Sequence, residues 1–293
     1  MFRNLLIYLG IFAFTVDISV GDERTDYQHG LQLIQFGQLE ESILFFQKAI
    51  RIEPDNIELQ KELNNIRQMI KLRGELPLEK NAIQWNIGAE RLRRYYIKYH
   101  VISDHLDLAL EIHRRVGTVS CAIDVVDAFL MAEQYQEALD FIVSQKKTEQ
   151  ILPLQIEKAR IYFMAGDKEQ ARKIIRSIPF EKLNSPESLF RLARVQSMTL
   201  QHASAVKSLR RCFELTPPNI LPLIKKEAKK CPEFESIFSS SEFMEVLKTR
   251  SLISSNDMDC AKKWIGNSLL NEQPQSPKNI IIGEINFNDW RLH

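Results

Sequence analysis

Between Pro153 and Pro218 apolar and small positions recur in two consecutive segments. In the first, Ala159, Tyr162, Gly166 and Ala171 are followed by Ile175 and Ile178; in the second, Ala193, Gln196, Leu200 and Ala205 are followed by Leu209, Cys212 and Pro217. Ala159 to Ala193 is 34 residues, and so is Ala171 to Ala205. Each segment reads as two amphipathic helices joined by a tight turn. Antiparallel helices approach closely only where side chains are small, which places Ala159 and Ala171 at the crossing and Tyr162 and Ile175 in the grooves beside it. Gly166 is placed at the end of the first helix in a left-handed conformation, and Asp167 opens the second. Ser185 followed by Pro186 reads as another helix start. Each pair leaves one apolar face bare, so it requires neighbours.

The same offsets occur twice more. Gly30, Leu33, Gly37, Ser42, Phe46, Ala49 and Pro54 repeat them near the start, with Gly30 to Pro54 spanning 24 residues like Ala193 to Pro217. Val126, Phe129, Glu133, Tyr135, Ala138 and Ile142 repeat them between Thr118 and Lys147. After Pro54, Asp55 with Glu58 predicts a capping box for a helix from Asn56 to Leu72. Gly74 to Pro77 reads as a turn, and helices over Trp85–Tyr99 and Leu106–Val116, parted at Ser103 and Asp104, form a degenerate repeat or a spacer. Beyond Pro218 the period stops, and Leu221–Lys230, Ser241–Leu252 and Asp257–Leu270 read as short amphipathic helices. Phe234, Phe238 and Phe243 are placed over the last exposed apolar face. The expected organisation is a leader at 1–21, a repeat plus helix at 22–72, the degenerate pair at 73–117, three units at 118–218, capping helices at 219–270 and a tail at 271–293.

The 34-residue period, with a small residue, an aromatic three positions on, then alanine, a large apolar residue and proline, resembles the tetratricopeptide repeat. That resemblance implies an all-α solenoid of stacked helix-turn-helix units. It also implies a concave groove, lined by the first helix of each pair, that takes a partner peptide. On the matching positions of this chain the groove residues are Leu31, Asp127, Arg160 and Arg194, with Asp124, Glu157 and Arg191 one turn earlier. Members that bind chaperone tails use a Lys and Asn carboxylate clamp; Tyr27 and Leu31 stand there instead, so that ligand is not expected. Two arrangements of the charged residues are open. Arg160, Arg191 and Arg194 converge as a positive patch for an acidic peptide, or Asp127 and Glu157 neutralise them within the stack.

The N-terminus changes the picture of where the chain works. A short basic start, a 12-residue apolar run from Leu5 to Val16 and the small residues Ser19 and Gly21 have the form of a secretory signal cleaved before Asp22. The apolar run is short of the roughly 20 residues that span a bilayer, so no membrane span is expected after cleavage. The four cysteines, Cys121, Cys212, Cys231 and Cys260, are too few and wrongly spaced for a zinc site or a disulfide scaffold. A bridge between Cys231 and Cys260 is left open. Net charge of +1 over 293 residues argues against nucleic acid as the main partner. The cluster from Arg91 to Tyr99 fits an amphipathic helix with Leu92, Tyr95, Tyr96 and Tyr99 inward, in preference to a phosphate-binding patch.

No phosphate-binding glycine loop, nucleophile elbow or zinc-protease motif is present, and the six histidines have no sequence partners. No cofactor, metal or catalytic residue is expected. The sequence therefore reads as an exported, periplasmic or secreted, non-catalytic scaffold that holds another protein or peptide. The alternative is a non-catalytic or substrate-binding subunit of an enzyme complex.

Overall fold

The computed structural model describes residues 23–145 and 151–253. Among these residues the chain is helical without strands, as the periodicity predicts. Two compact units divide after Val101. The expected leader, the expected helix at 257–270, Cys260 and the expected tail lie outside the described residues.

The first unit holds α1 (Glu23–Gln35), α2 (Leu39–Ile52), α3 (Ile57–Glu75) and α4 (Ala82–Tyr99). α1 packs on α2, α2 on α3 and α3 on α4. Gly30 is small for a reason: a methyl group there would stand 2.6 Å from Cε2 of Phe46, whose ring is fully buried. The N-cap of α3 is Asn56, whose side chain accepts from the amides of Glu58 and Leu59, and not Asp55. An uncharged amide oxygen one residue later satisfies the same free N–H groups that a capping aspartate would. Gly74 lies inside α3, and Leu76–Leu78 continues as a 3-10 turn, because the glycine costs the helix less than its packed end returns. On α4, Leu92, Tyr96 and Tyr99 are buried and Tyr95 is half-buried. Arg93 and Arg94 pair with Glu90, and Lys98 with Glu62 at 2.8 Å, while Arg91 is exposed.

The second unit holds α5 (Ile102–Val116), α6 (Val119–Met131), α7 (Tyr135–Ser144), α8 (Leu152–Met164), α9 (Lys168–Ser177), α10 (Pro186–Met198), α11 (His202–Leu215), α12 (Leu221–Lys230) and α13 (Ser241–Val246). Within its own unit, α4 packs on α3 and α5 packs on α6. The break between them falls at His100 in a left-handed conformation, ahead of the expected Ser103 and Asp104. The expected helix at Ser241–Leu252 stops at Val246, after which residues 249 and 252 make backbone bonds to other elements.

Four helix pairs share one turn. Gly37, Glu133, Gly166 and Leu200 all have positive φ. In each, the next residue's amide bonds back five positions, to Leu33, Phe129, Tyr162 and Gln196. This is a Schellman closure, and it satisfies carbonyls the helix end leaves open. Asp167 and Ser185 cap their helices as expected. At the crossings Ala138, Ala159, Ala171, Ala193 and Ala205 have no exposed surface. The first helices α6, α8 and α10 pack in a row, and a 3-10 turn over Pro232–Ile237 takes the next place against α10. Phe234 on that turn is fully buried and meets Phe190 edge to face at 5.6 Å, so the extension covers the apolar face of the last pair.

Candidate functional site

The charged positions assigned to the groove come together on the α6, α8 and α10 row. Equivalent positions of successive first helices lie beside one another because the helices are packed side by side at a near-constant sequence offset. Arg160 of α8 bonds Asp127 of α6 and stands 3.1 Å from Glu157 one turn earlier. Arg191 of α10 reaches Glu157 at 3.1 Å and Asp127 at 3.5 Å, and its Nε lies 3.4 Å from Glu187. Arg194 donates from Nε to Glu233 at 3.0 Å. Asp124 lies one turn before Asp127 on α6, half-buried.

The free positive patch is therefore not what the residues form. Three guanidinium groups face four carboxylates, those of Asp127, Glu157, Glu187 and Glu233, so the strip carries no surplus positive charge. Burial of side chains at this density favours the paired state, since an unpaired buried charge is costly. Glu157 has no exposed side-chain surface, whereas the Asp127 side chain keeps 32%.

The electrostatics follow from that packing. Burial pushes the Asp127 carboxyl up, but the charges of Arg160 and Arg191 outweigh it and hold it below the usual carboxylate range. The same carboxylates hold Arg160 and Arg191 above the ordinary guanidinium value against the opposing effect of burial. Burial raises Glu233, and the Arg194 charge and the Cys231 S–H overcome it, so the carboxyl lies low. Cys231 is a free thiol that donates to Glu233 at 2.9 Å, and burial pushes it up to about 12. Such a thiol is a poor nucleophile.

Sequence reasoning missed Glu187 and Glu233 as members of this strip. Glu187 was legible, four residues before Arg191 on one helix face. Glu233 was not, because it sits in the aperiodic extension. At the repeat nearest the start, Tyr27 meets Phe46 edge to face at 5.5 Å, and burial with the charges of Glu62 and Glu58 raises its phenol. No group of three or more His, Cys, Asp or Glu among the described residues is arranged to hold a metal ion. The strip is a network of fixed, mutually paired charges.

The fold is that of a helical-repeat protein, and one of its helix pairs matches a known repeat family. Residues 27–56 match the tetratricopeptide repeat family. Among solved structures the chain is similar to a thermophilic TPR protein of Thermus thermophilus, with 14% identity, a TM-score of 0.37, and coverage of 71% of this chain and 98% of that one. No curated protein matches the chain.

Proposed function

We propose that this chain is a non-catalytic scaffold that binds another protein or peptide along the α6, α8 and α10 row. The observation that carries the reading is the strip itself. Asp127, Arg160, Arg191 and Arg194 project from three successive helices into one network of ion pairs, in which the Asp127 carboxylate stays part-exposed. The repeat match at residues 27–56 supports the same class, since stacked repeats present extended binding surfaces. A partner carboxylate at this strip competes with Asp127 for Arg160 and Arg191, so an acidic peptide binds by exchange within an existing network. Asp124 lies on the same face of α6 and extends the strip.

We further propose that the chain works outside the cytosol, in a periplasm or as a secreted protein, after removal of residues 1–21, and takes part in envelope or secretory-compartment assembly. The leader-like pattern at the N-terminus supports this. No helix among the described residues is long and apolar enough to cross a membrane.

The test is affinity capture from the native cell envelope with the processed chain, beside Asp127→Ala and Arg191→Ala variants of equal helicity. The reading expects one partner retained by the native chain and lost from both variants. Equal retention by all three removes the strip from binding. A captured partner carrying catalytic motifs assigns the chain to an enzyme complex. N-terminal sequencing of the native protein tests export: a mature terminus at or near Asp22 is expected, and full-length cytosolic chain overturns it.

A further inference from the structure

Among the described residues of the second unit, a cluster of basic side chains without ion pairs lies beyond the end of the strip, on α12 and the segment that follows α13. α12 carries Lys225, Lys226, Lys229 and Lys230 against one carboxylate, Glu227. Lys226, Lys229 and Lys230 are exposed and share one face at helical spacing. Lys225 donates to the carbonyl oxygen of Thr249 at 2.6 Å, which fixes the chain after α13 against α12 one residue before exposed Arg250. The Leu252 amide is anchored on the Glu214 carbonyl of α11 at 2.8 Å. None of Lys226, Lys229, Lys230 and Arg250 has a carboxylate within ion-pair distance among the described residues, unlike the arginines of the strip. Burial and, after it, the like charge of Lys229 lower the Lys225 ammonium. Leu223 and Leu252 flank the patch, 41% and 70% exposed.

We infer that this patch is a second docking surface, for an acidic polypeptide segment that carries aliphatic residues among its carboxylates. It goes beyond the strip: the residues are different ones and the partner chemistry is set by surplus charge. No aromatic side chain lies in α12 or at residues 249–253 to stack a base. Leu221 and Ala228 are buried within the unit, so the exposed leucines are isolated anchors rather than a continuous apolar face for a lipid surface.

The experiment uses the full-length chain and a fluorescent peptide of repeated Glu-Asp-Leu. Saturable binding is expected, with affinity falling about tenfold between roughly 50 and 200 mM salt. K226E/K229E/K230E weakens it at least about tenfold. The corresponding triple Gln variant, which only neutralises the face, weakens it less, with melting of both variants recorded to separate binding from folding. Asp127→Ala, the α6 variant that tests the strip, is measured with the same peptide: peptide binding kept in that variant while its captured partner is lost tells failure here and failure of the strip apart. Three results overturn the inference. The first is peptide binding indifferent to the triple substitution. The second is lysine-dependent binding of phosphatidylglycerol vesicles or oligothymidylate in place of the peptide. The third is carbodiimide cross-links, in the peptide-free chain, joining these lysines to its own residues 254–293.

Discussion

Arg194 and Glu233, 39 residues apart, join the last first-helix of the repeat array to the turn that covers it. Their side chains are only 26% and 19% exposed. Arg194→Ala leaves Glu233 without its main counter-charge, so it costs about 1 to 3 kcal/mol of stability. A double-mutant cycle with Glu233→Gln checks it: the double variant is expected to lose less than the sum of the singles. Additive losses would mean the two residues act independently.

Acid should loosen the second unit before it unfolds the protein. The folded values of Asp127 and Glu233 lie below their unfolded ones, so their contribution is present above about pH 4 and is lost as pH falls through the folded values. Asp127 contributes about 1 to 2 kcal/mol once the screening of its part-exposed carboxylate is allowed for. Urea midpoints at neutral pH and near pH 3 are the measurement, with Asp127→Asn expected to flatten the difference between them.

The turns predict a gain. Leu200 has φ of 62° and is 65% exposed, at the position where two other pairs have glycine. A left-handed leucine is strained and gives up little buried area when removed, so Leu200→Gly stabilises by about 1 kcal/mol. Denaturant unfolding of the variant is the check, and an unchanged or lowered midpoint would mean the turn relieves its strain elsewhere.

Close approach predicts a loss. Gly30→Ala drives a methyl group into the buried Phe46 ring, and Ala171→Leu overfills a crossing with no exposed surface. Each costs roughly 1 to 3 kcal/mol. Thermal melting of the two variants tests it, and an unchanged melt for either removes that residue from a tight crossing.

The parts of this molecule that were legible in its sequence are those with a period. The crossing alanines, the left-handed Gly166 and the caps at Asp167 and Ser185 follow from residues whose role is local, so sequence spacing alone carries them. The helix boundaries around Asn56, Gly74 and His100 were misplaced because several residues there can cap or continue a helix and tertiary packing chooses among them. In the strip, Asp127, Glu157, Arg160 and Arg191 were legible as facing positions of adjacent repeats. Whether they would pair or stay open was not, since that depends on burial. Glu233 was invisible for a different reason: it reaches Arg194 from a segment with no register to extrapolate.

A partner seated on the α6, α8 and α10 row would shield the backbone of those helices from solvent. Hydrogen exchange of the chain, alone and with its captured partner, reads that shielding segment by segment. Added protection is expected to concentrate at 124–127, 157–160 and 187–194, the segments that carry Asp127, Arg160, Arg191 and Arg194. Protection confined to other helices, with these three segments unchanged, would place the partner elsewhere and remove the strip from binding.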